Sequence, residues 1–177
     1  EGRLVNATQV KVKRIWEIAS ERSAATVGIV GWYVTWPAER VAGFLVSDRA
    51  KQLEHSDDER LLSFHPAELA APFEVVARAR NERYLAECRR FTSMPVDPEW
   101  KTRLAPDDPA RGRYDALEHR LLRVYQRDSP YVEAGLEFLN ALGPDLFFLY
   151  LRGADHTQHG FWFHRAPEQS LVSLDAE

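Results

Sequence analysis

Residues 26–34 read TVGIVGWYV, and this stretch decides the predicted fold. The run is nearly all apolar and rich in β-branched and aromatic residues, which is typical of a strand covered on both faces, as parallel strands are. Just upstream, apolar residues recur at the i, i+3, i+4, i+7 spacing of one helical face and predict a helix over residues 8–22. A helix followed by a buried strand indicates an α/β sheet.

Two further apolar runs belong to the predicted sheet. Residues 43–46 form a short strand, and residues 146–151 are six apolar positions in a row that predict a central strand. Ser129 and Pro130 resemble an N-cap followed by a proline in the first turn, so they predict the start of another helix.

The stretch between the second and third runs is different in character. Residues 51–60 are polar and acidic and predict a loop, whereas residues 66–127 are mostly helical in pattern. We therefore predict an α/β fold with a mostly parallel central sheet, flanking helices and a mostly helical insertion over residues 51–128.

Composition excludes several classes of protein. The chain has 177 residues, enough for about one domain, and its 45% hydrophobic content excludes a disordered tail. A net charge of −4 predicts no nucleic-acid-binding surface, and no apolar run reaches the roughly 18 residues that would span a membrane. Cys88 is the single cysteine, which excludes an internal disulfide and a multi-cysteine zinc site.

Asp155 and His159 are the candidate functional residues. They follow the third apolar run, and in α/β sheets ligands bind beyond the carboxyl ends of the strands. If the chain turns helical after Asp155, the two side chains share a face and could bind one zinc or similar divalent ion. The alternative is a polar loop whose aspartate caps the next helix through backbone N–H groups.

Other polar residues have structural interpretations that weigh against a site. The same spacing recurs at Asp115 and His119, inside an amphipathic helical pattern that favours a solvated surface pair. Thr35 and Ser47 are hydroxyls near strand ends, but neither has the context expected of a nucleophile. Asp48 could border a cleft, although capping of a turn is the simpler interpretation.

Two stretches of the chain together resemble the alkaline phosphatase superfamily, in particular its type I phosphodiesterase/nucleotide pyrophosphatase-like members. The likeness covers about a third of the chain and is most specific where an apolar strand runs into Asp-x-x-x-His-x-x-Trp at residues 155–162. The matching segments are residues 13–18, 27–32, 35–39 and 43–48 in the first stretch, and 144–150, 153–155 and 159–162 in the second.

The resemblance implies a site with two divalent ions, usually zinc, that act on a phosphodiester or nucleotide-like small molecule. A threonine or serine nucleophile attacks phosphorus there, and the two ions neutralise charge in an in-line displacement. Asp155 and His159 match an Asp and a His that bind one ion of the pair. Phosphomonoesterase, sulfatase and phosphonate hydrolase activities occur in the same superfamily and remain alternatives.

The sequence departs from the full family pattern, because the nucleophile and the remaining metal ligands have no match within residues 1–177. The chain also starts at Glu1 rather than at a methionine. We therefore expect an internal part of one alkaline phosphatase-like catalytic domain, with little or no catalysis by the isolated chain. The rival hypothesis is a non-catalytic α/β module that binds a partner through its helical insertion.

Overall fold

The computed structural model describes residues 5–51, 56–88 and 113–165. These residues belong to two compact units. The sheet unit comprises residues 1–80 and 129–151, and the helical unit comprises residues 81–128 and 152–177.

The sheet unit contains four described strands, which confirm the predicted α/β class. They are β1 (Val27–Val30), β2 (Gly43–Val46), β3 (Phe64–His65) and β4 (Leu146–Leu149). The strand order is β3-β2-β1-β4. β1 pairs in parallel with both β2 and β4, whereas β3 pairs antiparallel with β2. The described sheet is therefore mostly parallel, as the buried apolar run at β1 indicates.

Five described α-helices accompany the strands. They are α1 (Ile15–Ser23), α2 (Asp57–Leu61), α3 (Ala70–Cys88), α4 (Arg113–Leu142) and α5 (Gly153–Arg165). Within the described ranges, no helix combines the length and apolar character needed to cross a membrane.

Apolar side chains cover both faces of the sheet. On one face Trp16 of α1 packs with Val27, Ile29 and Leu45. On the other face a larger cluster joins the sheet to α3 and α4, with Phe44 and Phe73 each 1% exposed. The alternation follows from the pleat, which sends successive side chains of a strand to opposite faces.

Gly43 allows β1 and β2 to approach each other at the start of the sheet. Its φ of 134° lies in a region that residues with a Cβ rarely adopt. A Cβ at this position would lie 2.2 Å from the Val27 carbonyl oxygen, well inside van der Waals contact. Any side chain here would force the two strands apart.

The strand predictions were correct in position but too long at β1 and β4. The apolar run continues to residue 34, yet β1 ends at Val30 because Gly31 enters the left-handed region with φ 70°. In the same way, β4 ends at Leu149. An apolar run predicts which residues are buried. Because the buried stretch continues past the last hydrogen-bonded strand residue, the run is longer than the strand.

Within the described sheet, β4 is the last strand in the order and not a central one. Its residues are partly exposed, with Leu146 at 40%. The apolar run therefore indicated the strand correctly but not its place in the order, because apolar composition reports burial on the faces rather than pairing at the edges.

Two helix starts differ from the sequence predictions. The helix predicted from residue 8 begins at Ile15, because residues 7–9 form a separate 3-10 turn that Asn6 caps and Val10 is extended. Part of the predicted loop over residues 51–60 is α2, whose capping box joins Ser56 and Glu59. That Ser-x-x-Glu spacing was a readable helix signal.

The helix start predicted at Ser129 and Pro130 was wrong. α4 is continuous from Arg113 to Leu142 with Pro130 inside it. An interior proline costs a helix about 3 kcal/mol. Burial of Tyr131, Ala134 and Phe138 against the sheet offsets that cost in this structure.

Candidate metal centre

α5 begins directly after Arg152. The first helical hydrogen bond runs from the His156 N–H to the Arg152 carbonyl oxygen, at 3.0 Å, which makes Arg152 the N-cap residue. An arginine side chain carries donors and no acceptor, so it cannot satisfy the free N–H groups of a helix start as serine or aspartate does.

Asp128 of α4 supplies the missing acceptor. The Gly153 N–H donates to Asp128 Oδ2 at 2.6 Å, and the Arg152 N–H donates to Asp128 Oδ1 at 3.3 Å. One carboxylate therefore receives both N–H groups, and its negative charge faces the positive end of the helix dipole. The capping carboxylate of α5 thus comes from 25 residues upstream in the chain.

Gly153 permits this close approach. A Cβ at Gly153 would lie 2.6 Å from Asp128 Oδ2 and 3.1 Å from Val124 Cγ1. The absence of a side chain at this position is therefore what allows the carboxylate to reach the backbone.

Asp155 and His159 converge on α5, as their i, i+4 spacing predicts. His159 Nε2 lies 3.2 Å from Asp155 Oδ1. The two side chains are largely open to solvent, with 75% of His159 and 57% of Asp155 exposed. Asp128 accepts the N–H groups at the start of α5, and Asp155 lies beside His159 and not at the helix end that the alternative interpretation assigned to it.

The separation suits a shared divalent ion. Two donor atoms that each lie about 2.0–2.2 Å from one zinc ion can be at most about 4.4 Å apart, and 3.2 Å falls within that limit. An imidazole nitrogen and a carboxylate oxygen are both ordinary zinc ligands. The pair supplies two of the four ligands that a tetrahedral zinc site needs.

Among the side chains that the structure describes, there is no group of three or more His, Cys, Asp or Glu placed to hold a metal ion. No further His, Cys, Asp or Glu side chain of the described part joins Asp155 and His159 in such a group. The second pair, Asp115 and His119, lies on α4, but its side chains are outside the described part.

Thr35 and Ser47, the two hydroxyl residues considered near the strand ends, are buried. Thr35 is 1% exposed and Ser47 is 0% exposed. Thr35 Oγ1 donates to the Trp32 carbonyl oxygen at 2.6 Å, and Ser47 Oγ donates to Asp48 Oδ1 at 3.2 Å. Both hydroxyls therefore form hydrogen bonds within the loops that follow β1 and β2.

Asp48 forms hydrogen bonds to the loop that follows β1. Its Oδ1 accepts the Thr35 N–H at 3.3 Å, and its own N–H donates to Thr35 Oγ1 at 3.3 Å. These reciprocal bonds tie the loop after β1 to the end of β2.

Trp32 and Trp36 lie against neighbouring side chains. The Trp32 ring lies 5.7 Å from the Trp16 ring within the buried cluster under α1. The Arg49 guanidinium lies over the Trp36 ring, with its Cζ atom 5.0 Å from the ring centroid. This contact anchors the loop that contains Trp36. The side chain of Trp162 lies outside the described part.

Comparison with known proteins found no match. A scan against protein-family models, a search of curated proteins and a search of solved structures each returned nothing similar.

Proposed function

We propose that Asp155 and His159 are two ligands of one divalent ion, in a metal-dependent hydrolase of phosphodiester or pyrophosphate bonds. The observation that carries the proposal is the 3.2 Å separation between Asp155 Oδ1 and His159 Nε2. A donor pair of suitable chemistry, close together and open to solvent, is what a metal site requires of two adjacent ligands.

The described residues fit half of a zinc site, so the proposal concerns a site completed elsewhere. The other ligands of this ion, the second ion and the threonine or serine nucleophile belong outside residues 1–177. When bound, the two ions would polarise phosphoryl oxygens and neutralise developing charge. Asp155 and His159 would hold one ion in place, and the substrate would be a small phosphodiester or nucleotide-like molecule.

The decisive experiment measures metal content and hydrolysis in the complete protein. Asp155→Ala and His159→Ala should each lower both the bound zinc, measured by elemental analysis, and the hydrolysis of bis-p-nitrophenyl phosphate. Loss of one ligand removes one of about four bonds to the ion, so we expect each variant to lose most of both signals. The isolated 177-residue chain should hydrolyse little or none of the ester.

Asp115→Ala is the matched control, because Asp115 has the same i, i+4 relation to a histidine on another helix. It should retain normal zinc content and normal turnover. Unchanged metal content in both Asp155→Ala and His159→Ala would refute the ligand assignment and favour a non-catalytic α/β module. Robust zinc-dependent turnover by the purified 177-residue chain would contradict the proposal that the nucleophile lies elsewhere.

A further inference from the structure

We infer that Asp128 is a positioning residue for the candidate metal ligands, holding the first turn of α5 so that Asp155 faces His159. The inference rests on the proposed function for its metal-binding consequence. It concerns side chains within the helical unit, and Asp128 itself touches neither the ion nor the substrate.

The first step is the competition for the start of α5. Four N–H groups at any helix start lack partners within the helix, and nearby carboxylates are drawn to them. Asp155 is the third residue of α5, where acidic and amide side chains commonly reach back toward the N-cap. Arg152, the N-cap residue itself, offers no acceptor in its side chain.

Asp128, and not Asp155, binds the N–H groups at the start of α5. The Asp128 carboxylate already accepts the N–H groups of Arg152 and Gly153, with one oxygen on each. Asp155 is consequently not needed at the helix end, and its Oδ1 lies beside His159 Nε2. Removal of Asp128 would leave two donors unpaired and Asp155 as the nearest carboxylate along the chain.

The third step identifies a way to break the contact without removing the carboxylate. Gly153→Ala would place a methyl group only 2.6 Å from Asp128 Oδ2, well inside van der Waals contact. The carboxylate would have to move away and lose its hydrogen bond to the Gly153 N–H. Gly153→Ala should therefore reproduce the effect of Asp128→Ala.

The test is a zinc titration of the complete protein, which contains the remaining ligands, followed at the Asp155 and His159 amide resonances by NMR. Outer partners of metal ligands typically contribute 10- to 100-fold in affinity, so Asp128→Ala and Gly153→Ala should bind zinc about 10-fold more weakly than the native chain. Amide hydrogen exchange at residues 152–156 should accelerate in both variants without zinc, which measures the loosened helix start independently of the metal.

Asp145→Asn is the matched control. Asp145 also accepts a backbone N–H, from Thr26 at 2.8 Å, but it lies in the sheet unit. Its replacement should leave zinc affinity at His159 unchanged. Asp128→Asn keeps one acceptor oxygen and should fall between the native chain and Asp128→Ala, and it replaces that variant if circular dichroism shows lost helix.

The outcomes separate this inference from the proposed function. No zinc-dependent shift at Asp155 or His159 in the native chain would refute the proposed ligand pair and the positioning role with it. Native binding that is equally tight in Asp128→Ala, Asp128→Asn and Gly153→Ala would overturn only the positioning role. An equal loss in Asp145→Asn would also overturn it, because the effect would then be general destabilisation.

Discussion

The polar side chains considered in the sheet unit and in the helical unit differ in their exposure to solvent. In the sheet unit, Thr35 and Ser47 are at most 1% exposed, and their hydroxyls hydrogen-bond to neighbouring loop atoms. In the helical unit, Asp155 and His159 are more than half exposed and face each other. Polar groups near the strand ends support the fold, whereas the pair on α5 is accessible to a ligand.

The two units also illustrate two uses of a carboxylate that bridges two segments of the chain. Asp145 accepts the N–H and the hydroxyl of Thr26 and so joins the starts of β1 and β4. Asp128 accepts two N–H groups at the start of α5. The chemistry is the same, but Asp145 stabilises a sheet, while Asp128 orients a helix that carries candidate ligands. Substitutions in the two units should therefore differ in what they damage.

The largest effect on stability is expected from Phe44→Ala in the sheet unit. Phe44 is 1% exposed and packs between the rings of Phe138 and Phe147. Loss of a buried phenyl ring typically costs about 3–5 kcal/mol, measured as the free energy of unfolding in urea. A cost below about 1 kcal/mol would show that this face of the sheet is not the main core.

Gly43→Ala should have the next largest effect and lower the free energy of unfolding by about 3 kcal/mol. The substitution combines a disfavoured φ with a clash against the Val27 carbonyl oxygen. Gly143→Ala is the matched control. Gly143 also has positive φ, at 53°, but its Cβ would meet no atom within 4 Å. The control should lose only about 1 kcal/mol in the same urea titration. Equal losses would remove the steric explanation.

Asp145→Asn should have a smaller effect that depends on pH. Hydrogen bonds from the backbone and side chain of Thr26 lower the pKa of Asp145 below its ordinary value. A lowered folded-state pKa means that the stabilisation is fully present above the unfolded-state pKa and is lost as pH falls through the folded-state pKa. At about pH 7 the native chain should have a larger free energy of unfolding than Asp145→Asn. This difference in free energy should become smaller as the pH is lowered toward about pH 3.

Thr26→Val tests the cause of that pH dependence. It removes the hydroxyl that donates to Asp145 Oδ2 at 2.7 Å and keeps the backbone N–H donor. We compare the free energy of unfolding of Thr26→Val with that of the double variant Thr26→Val/Asp145→Asn. The difference between them should shrink less between about pH 7 and about pH 3 than the difference between the native chain and Asp145→Asn. An undiminished narrowing would assign the lowered pKa to the backbone N–H alone.

The smallest effect on stability is expected from Asp155→Asn in the helical unit. An exposed i, i+4 pair on a helix contributes roughly 0.2–0.5 kcal/mol, so the thermal midpoint should barely move. The same variant should bind zinc more weakly in the titration described above. A large loss of stability would contradict the comparison, since it would give the pair a structural role like that of the sheet-unit carboxylate.

Much of the sheet could be predicted because burial on both faces leaves a mark in local sequence. The run at residues 43–46 coincides with β2, and the runs at β1 and β4 contain their strands. Where pairing stops depends on backbone conformation, such as the positive φ of Gly31, and periodicity carries no record of it.

The placement of Asp155 and His159 could be predicted for an equally local reason. The i, i+4 spacing of Asp155 and His159 places them on one face of the helix. Asp128 could not be predicted, because its two hydrogen bonds reach 24 and 25 residues along the chain. The one sequence feature that pointed to a capping residue elsewhere in the chain is Arg152. It occupies the N-cap position of α5, and its side chain has no hydrogen-bond acceptor.

By itself, then, the sequence determined the α/β class, the parallel strand pairing and the convergence of Asp155 with His159. Each follows from interactions between near neighbours or from burial that shapes local composition. Tertiary structure decided that α4 continues through Pro130, that β4 is last in the described order and that Asp128 caps α5. Those outcomes depend on packing and hydrogen bonding between residues far apart in the chain, where the energy of distant contacts outweighs local preference.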